Sequence, residues 1–269
     1  MSDHPRNPVG KHAAENTILR FSARGLPLLP SQMIPMSADR GEQQTSGASD
    51  NEPFKVRYVN SLERQNSAHE LVEKLYQKQG YKTTATAEQS PEHYRQRIGL
   101  LIYDHSDAVV ATVTLGVSDH ATLYADELYR QELDALRAQG VRLVELTKLA
   151  IDRHRGNSKR LLATLLNMAY MHCRLLGGTH AVIEATPKHA EFYETSMGFG
   201  RAGPPRLCPR VNTMGVLLVI DLNDMQAQID LYGGAANASA DGAAKSFYRY
   251  FLSASDQAQL MARLSGGAA

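Results

Sequence analysis

One glutamate of the chain stands in an apolar row. Counted by twos through Val141-Arg-Leu-Val-Glu-Leu-Thr-Lys-Leu-Ala-Ile151, the residues Val141, Leu143, Glu145, Thr147, Leu149 and Ile151 share one face of a strand. Desolvation disfavours a carboxylate there. Burial also raises a carboxyl pKa, which makes Glu145 a candidate general base near neutrality. Pairing with an arginine of a neighbouring element, or a bulge that turns Glu145 to solvent, explains the same pattern without chemistry.

A second group follows at once. Arg153-His-Arg-Gly-Asn-Ser158-Lys-Arg leads into a long apolar run, so a glycine-containing turn ends at a helix start. Free backbone N–H groups and the positive end of the helix dipole meet there. Arg153, Arg155, Lys159 and Arg160 add charge at the same place, and a phosphate is the natural ligand. Capping by Asn157 or Ser158, with the cations in water, is the plainer alternative. The third stretch is Thr186-Pro-Lys-His-Ala-Glu-Phe-Tyr-Glu-Thr-Ser-Met-Gly-Phe199. Thr186 and Pro187 suit a helix start and Gly198 its end. Tyr193 can place its ring in the core and its hydroxyl at a cleft, where it donates a proton, or it is an ordinary amphipathic core tyrosine.

The elements that must position these groups follow from periodicity. Phe54, Val56 and Tyr58 alternate with Lys55 and Arg57 as a strand, and Leu71, Val72, Leu75 and Tyr76 share a helix face ended by Gly80. Residues 98–103 and 108–117 flank a four-residue polar turn as a hairpin. Residues 126–139 read as a helix, 141–151 as a strand, and 161–176 as a long helix. Residues 181–185 read as a strand, 187–197 as a helix and 216–222 as a last strand. This order predicts an α/β (α+β) fold, with a mixed, mostly antiparallel central sheet flanked by helices. Residues 1–52 read as a disordered or loosely docked tail, in which the stretch 26–36 offers apolar residues for surface docking. Residues 53–232 form the domain. Residues 233–269 are a linker and a short helical extension that docks on its own domain or on a second copy of the chain.

Composition excludes several classes. The 29 basic and 28 acidic side chains nearly cancel, and the basic residues form no stripe interleaved with aromatics, so nucleic acid is not the expected partner. No apolar run is long enough for a membrane span, and no secretory signal is expected at the start. The two cysteines, Cys173 and Cys208, are expected as reduced thiols in a cytoplasmic protein. The ten histidines show no ligand-like spacing, so no metal is expected.

Taken together, the three stretches resemble the GCN5-related N-acyltransferase (GNAT) superfamily. Arg153-x-x-Gly156-x-Ser158 resembles its pyrophosphate-binding motif, with serine at a position usually glycine or alanine. Phe192-Tyr193-x-x-x-x-Gly198-Phe199 resembles its helix ending in Gly-Phe, with one extra residue before the glycine. Glu145-Leu-Thr147-Lys148-Leu149-Ala-Ile-Asp152 looks like the Glu-x-Ser/Thr-Arg-Leu/Phe-Ala-Val strand of two branches that use acyl carrier protein. These are the acyl-homoserine-lactone synthases and the long-chain N-acyl amino acid synthases; Lys148 replaces their usual arginine. The runs 123–130 and 209–212 resemble the amino acid synthase branch, and the absence of tryptophan also separates the chain from the lactone synthases.

The resemblance implies an N-acyltransferase, or N-acyl amino acid synthase, with no permanently bound cofactor. Its co-substrate would be an acyl-phosphopantetheine thioester on acyl carrier protein, and its acceptor a small amine, an amino acid. The phosphate would meet Arg153, Arg155, Gly156, Asn157, Ser158 and Lys159, and backbone N–H groups near Leu149–Ile151 would polarise the thioester carbonyl. Glu145 would accept the amine's proton and Tyr193 would protonate the thiolate. Thr147, Lys148 and Arg210 fall at acceptor-binding positions, with Lys148 or Arg210 meeting a carboxylate. Val113, Leu115, Leu143 and Leu149 are candidates for lining an acyl cleft and equally for ordinary core. Two alternatives remain: a coenzyme A-dependent small-molecule acetyltransferase, and a non-catalytic protein of the same fold that binds acyl carrier protein or lipid.

Overall fold

The computed structural model of the chain describes residues 17–21, 54–81, 97–119, 122–235 and 245–266. The stretch 26–36 lies outside these residues. The strands are β1 (Thr17–Phe21), β2 (Phe54–Tyr58), β3 (Arg97–Tyr103), β4 (Val109–Val117), β5 (Leu143–Ile151), β6 (His180–Ala185), β7 (Gly200–Arg201), β8 (Arg206–Cys208) and β9 (Thr213–Asp221). The helices are α1 (Leu62–Lys78), α2 (Asp126–Ala138), α3 (Ser158–Leu175), α4 (Pro187–Met197), α5 (Leu222–Tyr232) and α6 (Ala254–Gly266), with a 3₁₀ turn at Phe247–Tyr250.

The sheet order is β1-β2-β3-β4-β5-β6-β9-β7, with β8 also on β9. Every pairing is antiparallel except β5 with β6. This is the mixed α/β sheet expected from the sequence, extended at one edge by β1. Thr17–Phe21 lies within the segment read as a tail and pairs with β2. Ile18 and Leu19 of this strand are buried, and five residues give too short a periodic signal to stand out from their polar surroundings in the sequence.

Two features of this sheet build the site. The first is a bulge in β5. Thr114 pairs with Thr147 but Thr112 pairs with Ala150, so β5 carries one residue more than β4 across this step. Lys148 absorbs the excess at φ +52°, a left-handed conformation unusual for lysine. The bulge corrects the simple alternation. Leu143, Glu145 and Thr147 keep one face, but beyond Lys148 that face passes to Ala150, which packs with Leu71 and Val72 of α1. Leu149 and Ile151 turn to the opposite face and pack on the larger core beneath α3.

The second feature is a parting of strands. The β5–β6 ladder runs only from Leu143↔His180 to Leu146↔Ile183. β6 remains on β9 through Ala185 and β5 remains on β4 through Ile151, so beyond Leu146 the two parallel strands diverge. Local signals set the flanking helices. Asn157 Oδ1 caps α3 by accepting the Arg160 N–H at 3.3 Å. Gly198, at φ +77°, closes α4, and the Phe199 N–H donates to the Tyr193 carbonyl as the phenyl ring returns to the core. Among the described residues, no helix is long and apolar enough to cross a membrane.

Candidate active site

A cavity of about 840 Å³ opens where β5 and β6 part. It reaches both faces of the sheet, because Glu145 and Thr147 line it on the α1 side and Ile183, Leu162 and Phe192 on the α3 and α4 side.

Glu145 sits at the root of the cavity and is 1% exposed. Its Oε2 accepts the Tyr124 N–H and its Oε1 the Ala125 N–H, both at 2.8 Å. Arg97 Nη1 donates to Oε2 at 3.4 Å, while Nη2 donates to the Thr122 carbonyl at 2.7 Å. Gly116, opposite Glu145 on β4, makes room for this pair, since a β carbon there would collide with Arg97 Nη1. Burial raises the Glu145 carboxyl above its ordinary range; the two backbone donors, then Arg97 and Arg210, oppose the rise without cancelling it. The arginine partner anticipated for a buried Glu145 is therefore Arg97, and the carboxylate still faces the cavity. The run 123–130 has a local role here. Asp126 accepts the Leu123 N–H at 2.9 Å and pairs with Arg137, fixing the turn that presents Tyr124 and Ala125 to Glu145.

Cations and a second carboxylate gather beside it. The Tyr124 ring lies under Arg97 at 4.2 Å, Arg210 at 5.4 Å and Lys148 at 5.5 Å. Arg210 Nη2 donates to Glu184 Oε2 at 2.7 Å, and Nη1 donates to the Tyr124 carbonyl at 2.9 Å and to Glu127. Glu184 stands on β6 just past the last residue paired with β5. Its carboxylate occupies space left by Gly215, where a β carbon would come within 2.6 Å of Oε1. Thr147, Lys148 and Arg210 all line the cavity at this end.

At the other end stands the basic turn. Arg153, Ser158 and Lys159 line the cavity, whereas Arg155, Gly156 and Asn157 do not. Arg155 reaches Asp104 Oδ2 at 3.3 Å, Asn157 caps the helix, and Gly156 faces the Phe54 ring, which a β carbon would approach to 3.0 Å. These three shape the turn. Ile151 lines the cavity, and so does Leu149; Val113, Leu115 and Leu143 are buried core away from it.

Tyr193 lines the cavity from α4, packed edge-on against Phe192 and Phe199. Burial, with the Tyr76 hydroxyl nearby, pushes its phenol well above the ordinary value and keeps it a neutral donor. Burial pushes the Cys173 thiol up to about 12, and burial with the Glu184 carboxylate pushes Cys208 up to about 11. Neither is a ready nucleophile.

Sequence reasoning missed Arg97, Tyr124, Glu184, Phe247 and Tyr250 as site residues. Arg97 opens an otherwise apolar strand, a signal as visible as Glu145 itself. The aromatic run Phe247-Tyr-Arg-Tyr-Phe251 after a glycine- and alanine-rich stretch was likewise legible.

A mixed sheet with diverging parallel strands, a basic helix start at the cleft and a buried glutamate define an N-acyltransferase of the GNAT-like class. The family model for the N-acyl amino acid synthase FeeM matches residues 67–221, and the chain belongs to this family. Among solved structures, FeeM, an N-acyl amino acid synthase from uncultured soil microbes, is similar with a TM-score of 0.59 and 21% identity, covering 65% of this chain and 94% of that one. The AHL synthase LasI is similar at a TM-score of 0.49 and 13% identity, over 63% of this chain and 89% of its own. A putative N-acetyltransferase from Lactobacillus plantarum reaches a TM-score of 0.46 and 15% identity, over 63% and 98%. No curated protein matches the sequence.

Proposed function

We propose that this N-acyltransferase moves a long-chain fatty acyl group from the phosphopantetheine thioester of an acyl carrier protein to the amine of an amino acid. The observation that carries the reading is the cleft between β5 and β6, with carboxylates and cations at one end and the basic start of α3 at the other. Unpaired backbone along the diverging strands can bond the pantetheine amides as an added strand does. The phosphate then meets Ser158 and Lys159 at the start of α3, with Arg153 beside them. An acidic carrier protein finds the Arg153–Arg160 cluster at the same mouth. The acyltransferase domain of this reading is residues 53–232, to whose cavity residues 245–250 add a wall, and the free thiols Cys173 and Cys208 suit a cytoplasmic setting.

Each step uses a residue of this chain. Glu145, with its raised pKa, takes a proton from the acceptor ammonium, directly or through water. The free amine attacks the thioester carbonyl, whose developing charge is met by backbone N–H groups near Leu149–Ile151. The C–N bond forms and the attacking nitrogen gives its second proton to solvent. The C–S bond breaks, and the thiolate takes a proton from Tyr193, which solvent re-protonates, or from a solvent relay. An amide and a free pantetheine thiol leave. Lys148 and Arg210, which share the Tyr124 ring, receive the acceptor's carboxylate.

The test is direct. The purified chain is given long-chain acyl carrier protein, long-chain acyl-CoA or acetyl-CoA with a mixture of amino acids, and products are read by mass spectrometry. N-acyl amino acid formed from acyl carrier protein is the expected result. Product from acetyl-CoA alone points to a small-molecule acetyltransferase, and carrier-protein binding without product points to a non-catalytic protein.

A further inference from the structure

The segment Phe247-Tyr-Arg-Tyr-Phe251 lies outside the family match at residues 67–221, yet it forms part of the cavity wall. Phe247 and Tyr250 face the cavity alongside Lys245 and Ser246. The segment is held from three sides. The Tyr248 hydroxyl donates to the Met197 carbonyl at the end of α4, at 2.8 Å. The Leu252 N–H donates to Asn167 Oδ1 at 2.9 Å, and the Gly234 N–H, just past α5, donates to the Phe251 carbonyl at 2.9 Å. Asn167 is a buried amide among the apolar residues of α3, and binding this segment is the use its oxygen finds.

The rings delivered this way complete a continuous series. Lys159 Nζ lies 5.1 Å from the Tyr250 centroid, and Tyr250 lies 5.6 Å from Phe247. Phe247 meets Phe192 edge-to-face at 5.0 Å, and Phe192 meets Tyr193 at 5.3 Å. The series runs from the first turn of α3 to Tyr193, the residue assigned above to the departing thiolate. In the reading above, a phosphopantetheine arm follows the same path from phosphate to thiol. Tyr250 also carries the guanidinium groups of Arg160 at 5.1 Å and Arg249 at 5.6 Å, so three cations converge on one ring at the phosphate end.

We propose that the C-terminal segment is a working part of the donor site, with Tyr250 holding Lys159 in place for the phosphate and Phe247 forming the wall along which the pantetheine lies. This inference rests on the phosphopantetheine reading and adds to it a specificity element from outside the family-matched residues. The π face of Tyr250 fixes long, flexible cations that would otherwise lose rotamer freedom on meeting an anion. Phe247 offers apolar surface to the methyl and methylene groups of pantetheine.

The experiment measures KM for donor and acceptor separately in the full chain, and binding of long-chain acyl carrier protein and acyl-CoA by titration. Tyr250→Ala is expected to raise donor KM about five- to tenfold with the acceptor KM unchanged, and Tyr250→Phe, which keeps the ring, to restore it. Phe247→Ala should also weaken the donor, with Phe247→Leu recovering part of the loss. Should an alanine variant fail to fold, Tyr250→Leu, which keeps bulk without a π face, decides the matter. Unchanged donor KM in the folded Tyr250 variant, or a parallel rise in both KM values, overturns the proposal and leaves the donor reading standing. A wild-type chain that binds neither donor overturns both.

Discussion

The two ends of the cleft are built on opposite principles. At the Glu145 end the arginines are matched with carboxylates, Arg97 with Glu145, and Arg210 with Glu184 and Glu127, around one tyrosine ring. At the α3 end, Lys159, Arg160 and Arg249 rest on the ring of Tyr250 beside the helix start. A matched, buried network tolerates no change of charge, because removing one partner strands the other in a low-dielectric site. A cationic helix start is tuned by each residue in small steps, since the backbone N–H groups remain whatever the side chains do. Under the proposed mechanism, rigid placement suits the end where a proton is to move, and graded attraction suits the end that is to hold the donor.

Glu145→Gln makes the largest break in this contrast. It removes the proposed base while leaving an isosteric amide, so turnover should fall by about 10²- to 10⁴-fold with donor binding nearly intact. Near-normal kcat in that variant would take Glu145 out of the chemistry. Arg210→Met comes next. It strands Glu184 and frees Glu127, and acceptor KM should rise about tenfold, the size of one charge-assisted hydrogen bond of about 1.5 kcal/mol. Donor KM should hold steady, and a shift there instead would erase the distinction between the two ends.

The smallest effect comes from a residue at neither end and serves as a control. His172 is buried on α3, with Nδ1 2.7 Å from the Met168 carbonyl and Nε2 2.8 Å from the Tyr58 hydroxyl. Burial holds its imidazole below the ordinary value of 6.5. The unfolded chain thus binds a proton that the folded chain refuses as pH falls below 6.5. Stability present above that value is lost as pH falls through the folded pKa, with a slope of at most about 1.4 kcal/mol per pH unit. Urea titrations of wild type and His172→Gln between pH 7 and 5 should show this acid loss in the wild type and a flatter limb in the variant. The same slope in both would assign the acid loss elsewhere.

Much of the site was legible in the chain before folding was considered. The lone carboxylate of an apolar strand singled out Glu145, and the glycine turn before a long helix singled out Ser158 and Lys159, all of which line the cavity, because both signals are local. Arg97 was illegible as Glu145's partner. They are 48 residues apart and meet through the β3–β4–β5 register. The bulge at Lys148 was hidden for a different reason. An extra residue in a strand follows from the pairing of β5 with β4, and period-two counting assumes that no such residue exists.

By itself, then, the sequence determined the order of elements, the caps that start α3 and end α4, and the chemical types gathered for the reaction. These depend on neighbours within a turn or a strand. Only the tertiary structure decided which charges meet, where β5 leaves β6, and that residues 247–250 return to wall a cleft opened by residues 145–185. Such contacts join segments far apart in the chain, and their energy arises only when the whole sheet and both of its faces are packed.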